Sequence, residues 1–221
     1  MTTFQVTSLL ILSGLSSVDR LAGLNIMLSR PIVVSGIVGY IFGNIELCLL
    51  IGILFEFLGM LEVPVGTTIT LDDTFGGYAS SVLISIGAAS YNAISLLICV
   101  SIIVLLMYPV TMTDKYCRSF NGKLIENAFK YNKEDYESRL ILFGLLISFL
   151  RGLFVYNIMT IAVFVILIFV DKIHNTSYSV YASIILLSIF MIGYLVRFFS
   201  VRFVFKFVFL VSGICIGWFM L

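Results

Sequence analysis

Apolar residues along this chain come in long blocks rather than at the three- and four-residue spacing of an amphipathic helix. Between Asp73 and Asp114 stand 40 residues without a charge, well beyond the ~20 needed to cross a hydrocarbon core of about 30 Å. A full span fits within Ser80 to Tyr108. Leu140 to Val170 is a second block, interrupted only by Arg151. Ile173 to Val196 is a third, with His174 near its start, and Phe203 to Leu221 is a fourth. Within each block apolar side chains occupy every face, as contact with lipid requires. The pattern predicts transmembrane helices.

The first 65 residues read differently. Their apolar runs are short and punctuated: Phe4 to Val18, Leu21 to Leu28, Ile32 to Phe42 and Leu47 to Leu61. Arg30-Pro31 and Gly43-Asn44 break the helical pattern, because proline has no amide donor and glycine tolerates turn dihedrals. Several runs are too short to cross a bilayer alone, so residues 1–80 read as broken or re-entrant helices. Irregular backbone survives at membrane depth only where protein buries it or where it lines a wet cavity, which makes this region the place to look for a pathway.

Composition supports an all-α integral membrane protein. Hydrophobic residues make up 61% of the chain and charged residues 11%, with a mean hydropathy of +1.14, far from the usual soluble mix. No Pro/Gly/Ser-rich linker divides the 221 residues, so the chain reads as one polytopic domain. The first charged side chain is Asp19, so the basic start of a cleavable signal is missing. Four cysteines, at 48, 99, 117 and 215, lack metal-ligand spacing and read as structural.

Charge sets the expected orientation. Residues 1–110 hold two arginines and six acids, whereas Lys115, Arg118, Lys123, Lys130, Lys133 and Arg139 gather in one polar stretch, 111–139. Basic connectors stay on the cytoplasmic side, so 111–139 is expected to be a cytoplasmic loop followed by C-terminal spans in 140–221. Arg197, Arg202 and Lys206 mark a second cytoplasmic turn two spans later, leaving Asp171 to Tyr178 and the C-terminus outside. Gly36, Gly39 and Gly43 offer a small-residue face for close helix contact.

Asp19, Arg20, Glu46, Glu56, Glu62, Asp72 and Asp73 lie in or beside apolar segments, where a central charge costs ~2.5–3.5 kcal/mol on insertion scales. Such residues need a partner, a wet cavity or a function. Glu56 is the sharpest case, since no basic residue lies within one helical turn of it. It reads either as a carboxylate reaching for the surface or as a hydrogen-bonding group in a transport site. Asp72 and Asp73 end the stretch Pro64-Val-Gly-Thr-Thr-Ile-Thr-Leu71, which is rich in threonine, Thr68 included. Carboxylates accept from sugar hydroxyls and threonine donates or accepts, so an acid-ended irregular segment suits a polyol; it suits a cation or an interfacial loop equally. Arg151 reads as a cap on backbone carbonyls or a partner for a membrane carboxylate. No phosphate-binding glycine loop, paired-histidine metal motif or nucleophile elbow is present, so neither catalytic residues, a metal nor a cofactor is expected, and nothing points to nucleic acid.

These residues carry a resemblance. Arg30-Pro31-Ile32, the Gly39 to Gly43 turn into Asn44-x-Glu46, Leu50-Ile51-Gly52, Glu56, and Pro64-Val65-Gly66 with Asp72 eight residues after Pro64 are similar, in order and spacing, to the N-terminal region of the IIC subunit of mannose/fructose/sorbose-type bacterial sugar phosphotransferase systems. The likeness covers roughly residues 15–80; Tyr108-Pro109 and Gly193-Tyr194 extend it weakly. It implies a sugar-conducting permease of the bacterial inner membrane that moves a hexose or related sugar. It further implies assembly with a IID-type membrane subunit in an oligomer, and cytoplasmic IIA and IIB proteins that carry the phosphate. The family's acidic positions fall on Glu56 and Asp72, so Glu56, Asp72, Asp73 and Thr68 form the expected substrate site. A cation-coupled secondary transporter and a non-transporting scaffold descended from such a permease are the alternatives.

Overall fold

A computed structural model describes residues 1–23, 26–60, 69–87, 93–130 and 137–171. Among these the regular structure is all helical: α1 (Thr3–Leu21), α2 (Pro31–Phe42), α3 (Ile45–Met60), α4 (Asp73–Ser85), α5 (Ala93–Lys130), α6 (Glu137–Arg151) and α7 (Asn157–Asp171), with a π-helical turn, Gly152–Tyr156, between the last two. The expected punctuation operates in the first third. Pro31 opens α2 at its first position, after Arg30 in extended backbone, where the missing amide costs nothing. Gly43 closes the same helix at φ +79°, and the Asn44 amide donates to the Gly39 carbonyl at 2.9 Å, a left-handed cap that favours glycine.

At 12, 16 and 13 residues, α2, α3 and α4 are about 18–24 Å long at 1.5 Å per residue, short of a hydrocarbon core. They pack on one another instead. A methyl group added to Gly77 of α4 would lie 3.0 Å from the Pro31 backbone, and one on Gly52 of α3 would lie 2.7 Å from Ser35 Cβ. The Ser35 hydroxyl donates to the Gly77 carbonyl at 3.1 Å. Gly36 and Gly39 likewise face Leu49, Ile45 and Cys48 of α3, so the small-residue face read from the sequence serves contact within the chain. Val34, Val38, Ile51, Phe55, Phe75, Tyr78 and Leu83 fill the space between the three helices.

The long helices α5 and α6–α7 carry stretches apolar and long enough to cross a membrane, Ser95–Glu126 and Leu140–Ile168. Their outward residues are apolar too, with Leu105 74% and Ile141 66% exposed, as a lipid-facing surface requires. Two expectations change. The span placed at Ser80 to Tyr108 is interrupted: α4 ends at Ser85 in a turn at Ile86 and Gly87, and α5 begins at Ala93. Hydropathy missed this because the interruption is itself uncharged. The stretch read as a loop from 111 is helical through Lys130. Its lysines, Leu124, Ile125 and Glu126 are helix formers, so Asn121-Gly122 makes no turn. At 38 residues, α5 is about 57 Å long, longer than a hydrocarbon core of about 30 Å.

Candidate functional site

The short helices bring four helix ends to one level: the C-termini of α1 and α3 and the N-termini of α2 and α4. Each end carries charge. Asp19 and Arg20 stand in the last turn of α1, Arg30 precedes α2, Glu56 lies in the last turns of α3, and Asp72 and Asp73 open α4. Asp19 accepts from the amides of Ile26 and Ser29, both at 2.8 Å, and so ties the α1–α2 connection back onto α1.

Behind this level lies a closed ionic network. Asp72 is fully buried and caps α4, accepting from the Phe75 amide at 3.0 Å. Its Oδ2 accepts from Arg151 Nη2 at 2.7 Å, and the Tyr156 hydroxyl donates to the carboxylate, 2.9 and 3.0 Å from its two oxygens. Its own amide donates to Thr111 Oγ1 of α5 at 2.9 Å. Arg151 also donates to Thr113 Oγ1 (2.8 Å), Ser17 Oγ (3.1 Å) and the Val110 carbonyl (3.1 Å), and pairs with Asp114. Both expected roles of Arg151, carbonyl cap and carboxylate partner, are therefore filled. Arg20 joins from α1, with Nη1 2.5 Å from Asp73 Oδ1 and Nε 3.7 and 3.6 Å from Asp72 and Asp114. Asp114 pairs with both arginines, and neither of its oxygens receives a directed hydrogen bond from the described residues.

The π-helical turn makes this convergence possible. In a regular α-helix residues five apart point roughly 140° away from each other, whereas a π-turn stacks them. Arg151 and Tyr156 thus share a face, with the guanidinium 5.4 Å from the ring centroid, and both reach Asp72. Gly152 permits it, because a β-carbon there would strike the Ser13 carbonyl oxygen and the Ser17 side chain of α1.

Glu56 is in a different situation. Its Oε1 accepts from Arg30 Nη1 at 3.0 Å, but its Oε2 is shielded from solvent and has no hydrogen-bond donor among the described residues. Arg30 itself is half exposed. One turn along α3, a methyl group on Gly59 would collide with Asp73 Oδ2, so the face bearing Glu56 leads to the start of α4. Of the residues singled out in the sequence, Glu56 and Asp73 stand at the open level and Asp72 stands behind it; Thr68 lies outside the described residues. Asp114, Tyr156, Thr111 and Thr113 went unnoticed. Arg151 interrupts an apolar run with one charge and Asp114 closes another, and pairing those opposite charges was the available signal.

Broken helices with ionisable groups gathered at their ends define a membrane transport protein. Residues 3–199 match the family described as the PTS system sorbose-specific IIC component, and the chain belongs to that family. It is therefore a membrane permease subunit of a sugar phosphotransferase system, which works with the other components of that system. No curated protein matches the chain.

Proposed function

We propose that the chain binds a neutral hexose-type sugar, sorbose or a close relative, at the level where α1 to α4 end, and passes it across the cytoplasmic membrane. The carrying observation is the Glu56 carboxylate, shielded yet with one oxygen lacking a donor among the described residues. A buried acceptor without a donor costs about 1–3 kcal/mol, and a sugar hydroxyl satisfies it. Partner strength selects Glu56 over Asp72. A half-exposed pair such as Arg30–Glu56 contributes at most about 1 kcal/mol and yields readily to a sugar, whereas Asp72 is held by two side chains and an amide away from any surface. Asp73, partly exposed, is assigned to the same site together with Thr68, which lies outside the described residues, and Asp72 fixes the frame behind.

In this reading the chain spans the membrane several times, with the basic end of α5 and the rest of 111–139 in the cytoplasm. It works in an oligomer with a IID-type membrane subunit, and cytoplasmic IIA and IIB proteins transfer phosphate to the arriving sugar. The test replaces Glu56 by Gln and by Ala and measures sugar uptake together with membrane abundance. Loss of the charged acceptor costs ~1.5–3 kcal/mol of binding, roughly ten- to hundredfold in affinity, with abundance maintained. Native uptake per molecule in the alanine variant would sink the assignment.

A further inference from the structure

The residues that lead into α4 present backbone carbonyls, and a side chain from α1 reaches two of them. Arg20 Nη2 donates to the Leu71 carbonyl at 2.7 Å, to the Thr70 carbonyl at 3.2 Å and to Thr70 Oγ1 at 3.3 Å. Nη1 donates to Asp73 Oδ1 at 2.5 Å and to Thr74 Oγ1 at 3.3 Å. The guanidinium thus grips Thr70, Leu71, Asp73 and Thr74 at once, from 50 to 54 positions away in sequence. It is well shielded, 14% exposed, so water does not readily replace it.

We propose that Arg20 is the positioning residue of the sugar site: it sets the backbone of Thr70–Leu71 and the side chain of Asp73 at the distance from Glu56 that a sugar ring requires. The inference rests on the sugar site proposed above. Arginine suits the role because its planar fork holds its donors in fixed directions: the N–H groups of Nη1 and Nη2 serve two carbonyls, two hydroxyls and a carboxylate, while Nε faces Asp72 and Asp114. A lysine keeps the charge but gathers its three donors on one nitrogen at the end of a flexible stem, without the span of the fork. With lysine, the ion pair to Asp73 persists while the hold on the Thr70 and Leu71 carbonyls is lost. The network around Asp72 keeps Arg151 and Tyr156, so the fold stands while the site loosens.

The experiment compares the native chain with Arg20→Lys and Thr70→Val, produced with their partner subunits in the native host. Uptake of labelled sorbose, fructose or mannose, whichever the native system takes up fastest, is measured against concentration and normalised to the amount of chain in the membrane. Arg20→Lys is expected to raise the half-saturating concentration at least tenfold, while abundance stays within twofold and the maximal rate per molecule falls less than the affinity. Thr70→Val, which removes one of the gripped hydroxyls, is expected to raise it about two- to fivefold. An unchanged half-saturating concentration in Arg20→Lys, alongside the expected weakening in Glu56→Ala, overturns the positioning role and leaves the sugar site standing. If Glu56→Ala is also unchanged, the site itself falls. Should Arg20→Lys fail to accumulate, Thr70→Val decides, and native affinity in that variant overturns the role.

Discussion

Replacing Arg151 with Met tests whether the network behind the site is a structural joint. The substitution keeps an unbranched side chain but removes the guanidinium that bonds Asp72, Thr113, Ser17 and the Val110 carbonyl and pairs with Asp114. Asp72 and Asp114, both buried, then keep only Arg20 as an ion-pair partner within 4 Å among the described residues. Removing one partner of a buried ion pair costs about 3–5 kcal/mol, because the other charge remains uncompensated. For a chain of this size each kcal/mol moves the unfolding midpoint by about 2–4 °C, so the midpoint falls by about 6–20 °C. Asp114→Asn alone costs less than Arg151→Met, because both arginines keep Asp72 as an ion-pair partner. In the Arg151→Met background the same change removes one of the stranded charges and restores at least about 1 kcal/mol. Thermal unfolding of the four proteins in detergent, followed by fluorescence, gives the complete cycle. A midpoint shift under about 3 °C for Arg151→Met, or two effects that add within about 0.5 kcal/mol, refutes the reasoning.

Gly152→Ala drives a methyl group into the Ser13 carbonyl and the Ser17 side chain; overpacking of this kind costs about 1–3 kcal/mol. Gly122→Ala meets nothing within 4 Å and gains up to about 1 kcal/mol of helix propensity. Equal midpoints for the two alanine variants in the same thermal assay contradict the packing of α1 on the π-helical turn. For topology, a reporter fused near Asn121 is expected to read as cytoplasmic and one near Asn175 as external; the reverse pattern overturns the orientation.

Local punctuation was legible in the sequence, whereas distant pairing was not. Arg30-Pro31 and Gly43-Asn44 mark true helix boundaries because proline and glycine act on their own backbone, whatever surrounds them. The need of Arg151 for an acid was readable for a similar reason: a lone charge in an apolar run requires compensation. Which acid answers it was not, since Asp72 lies 79 positions away and Ser17 lies 134. The break after Ser85 was missed because hydropathy averages over an uncharged turn. The π-helical turn has no sequence mark beyond Gly152, and without it nothing placed Tyr156 beside Asp72.

Glu56, Asp72 and Asp73 looked alike in the sequence, as acids beside apolar runs, and the fold divides them by how many donors each receives. Asp72 receives Arg151, Tyr156 and an amide, so any sugar hydroxyl would have to displace partners already at 2.7–3.0 Å. Asp73 receives Arg20 at 2.5 Å and the Thr74 amide at 3.0 Å while retaining some exposure. Glu56 receives one donor from a half-exposed arginine and keeps one oxygen free. A permease must release its sugar as readily as it binds it, so its ligands gain most where the unliganded state is incompletely satisfied and least where the fold already provides every partner. By that criterion the order for direct sugar contact is Glu56, then Asp73, then Asp72, the reverse of the order in which the fold depends on them.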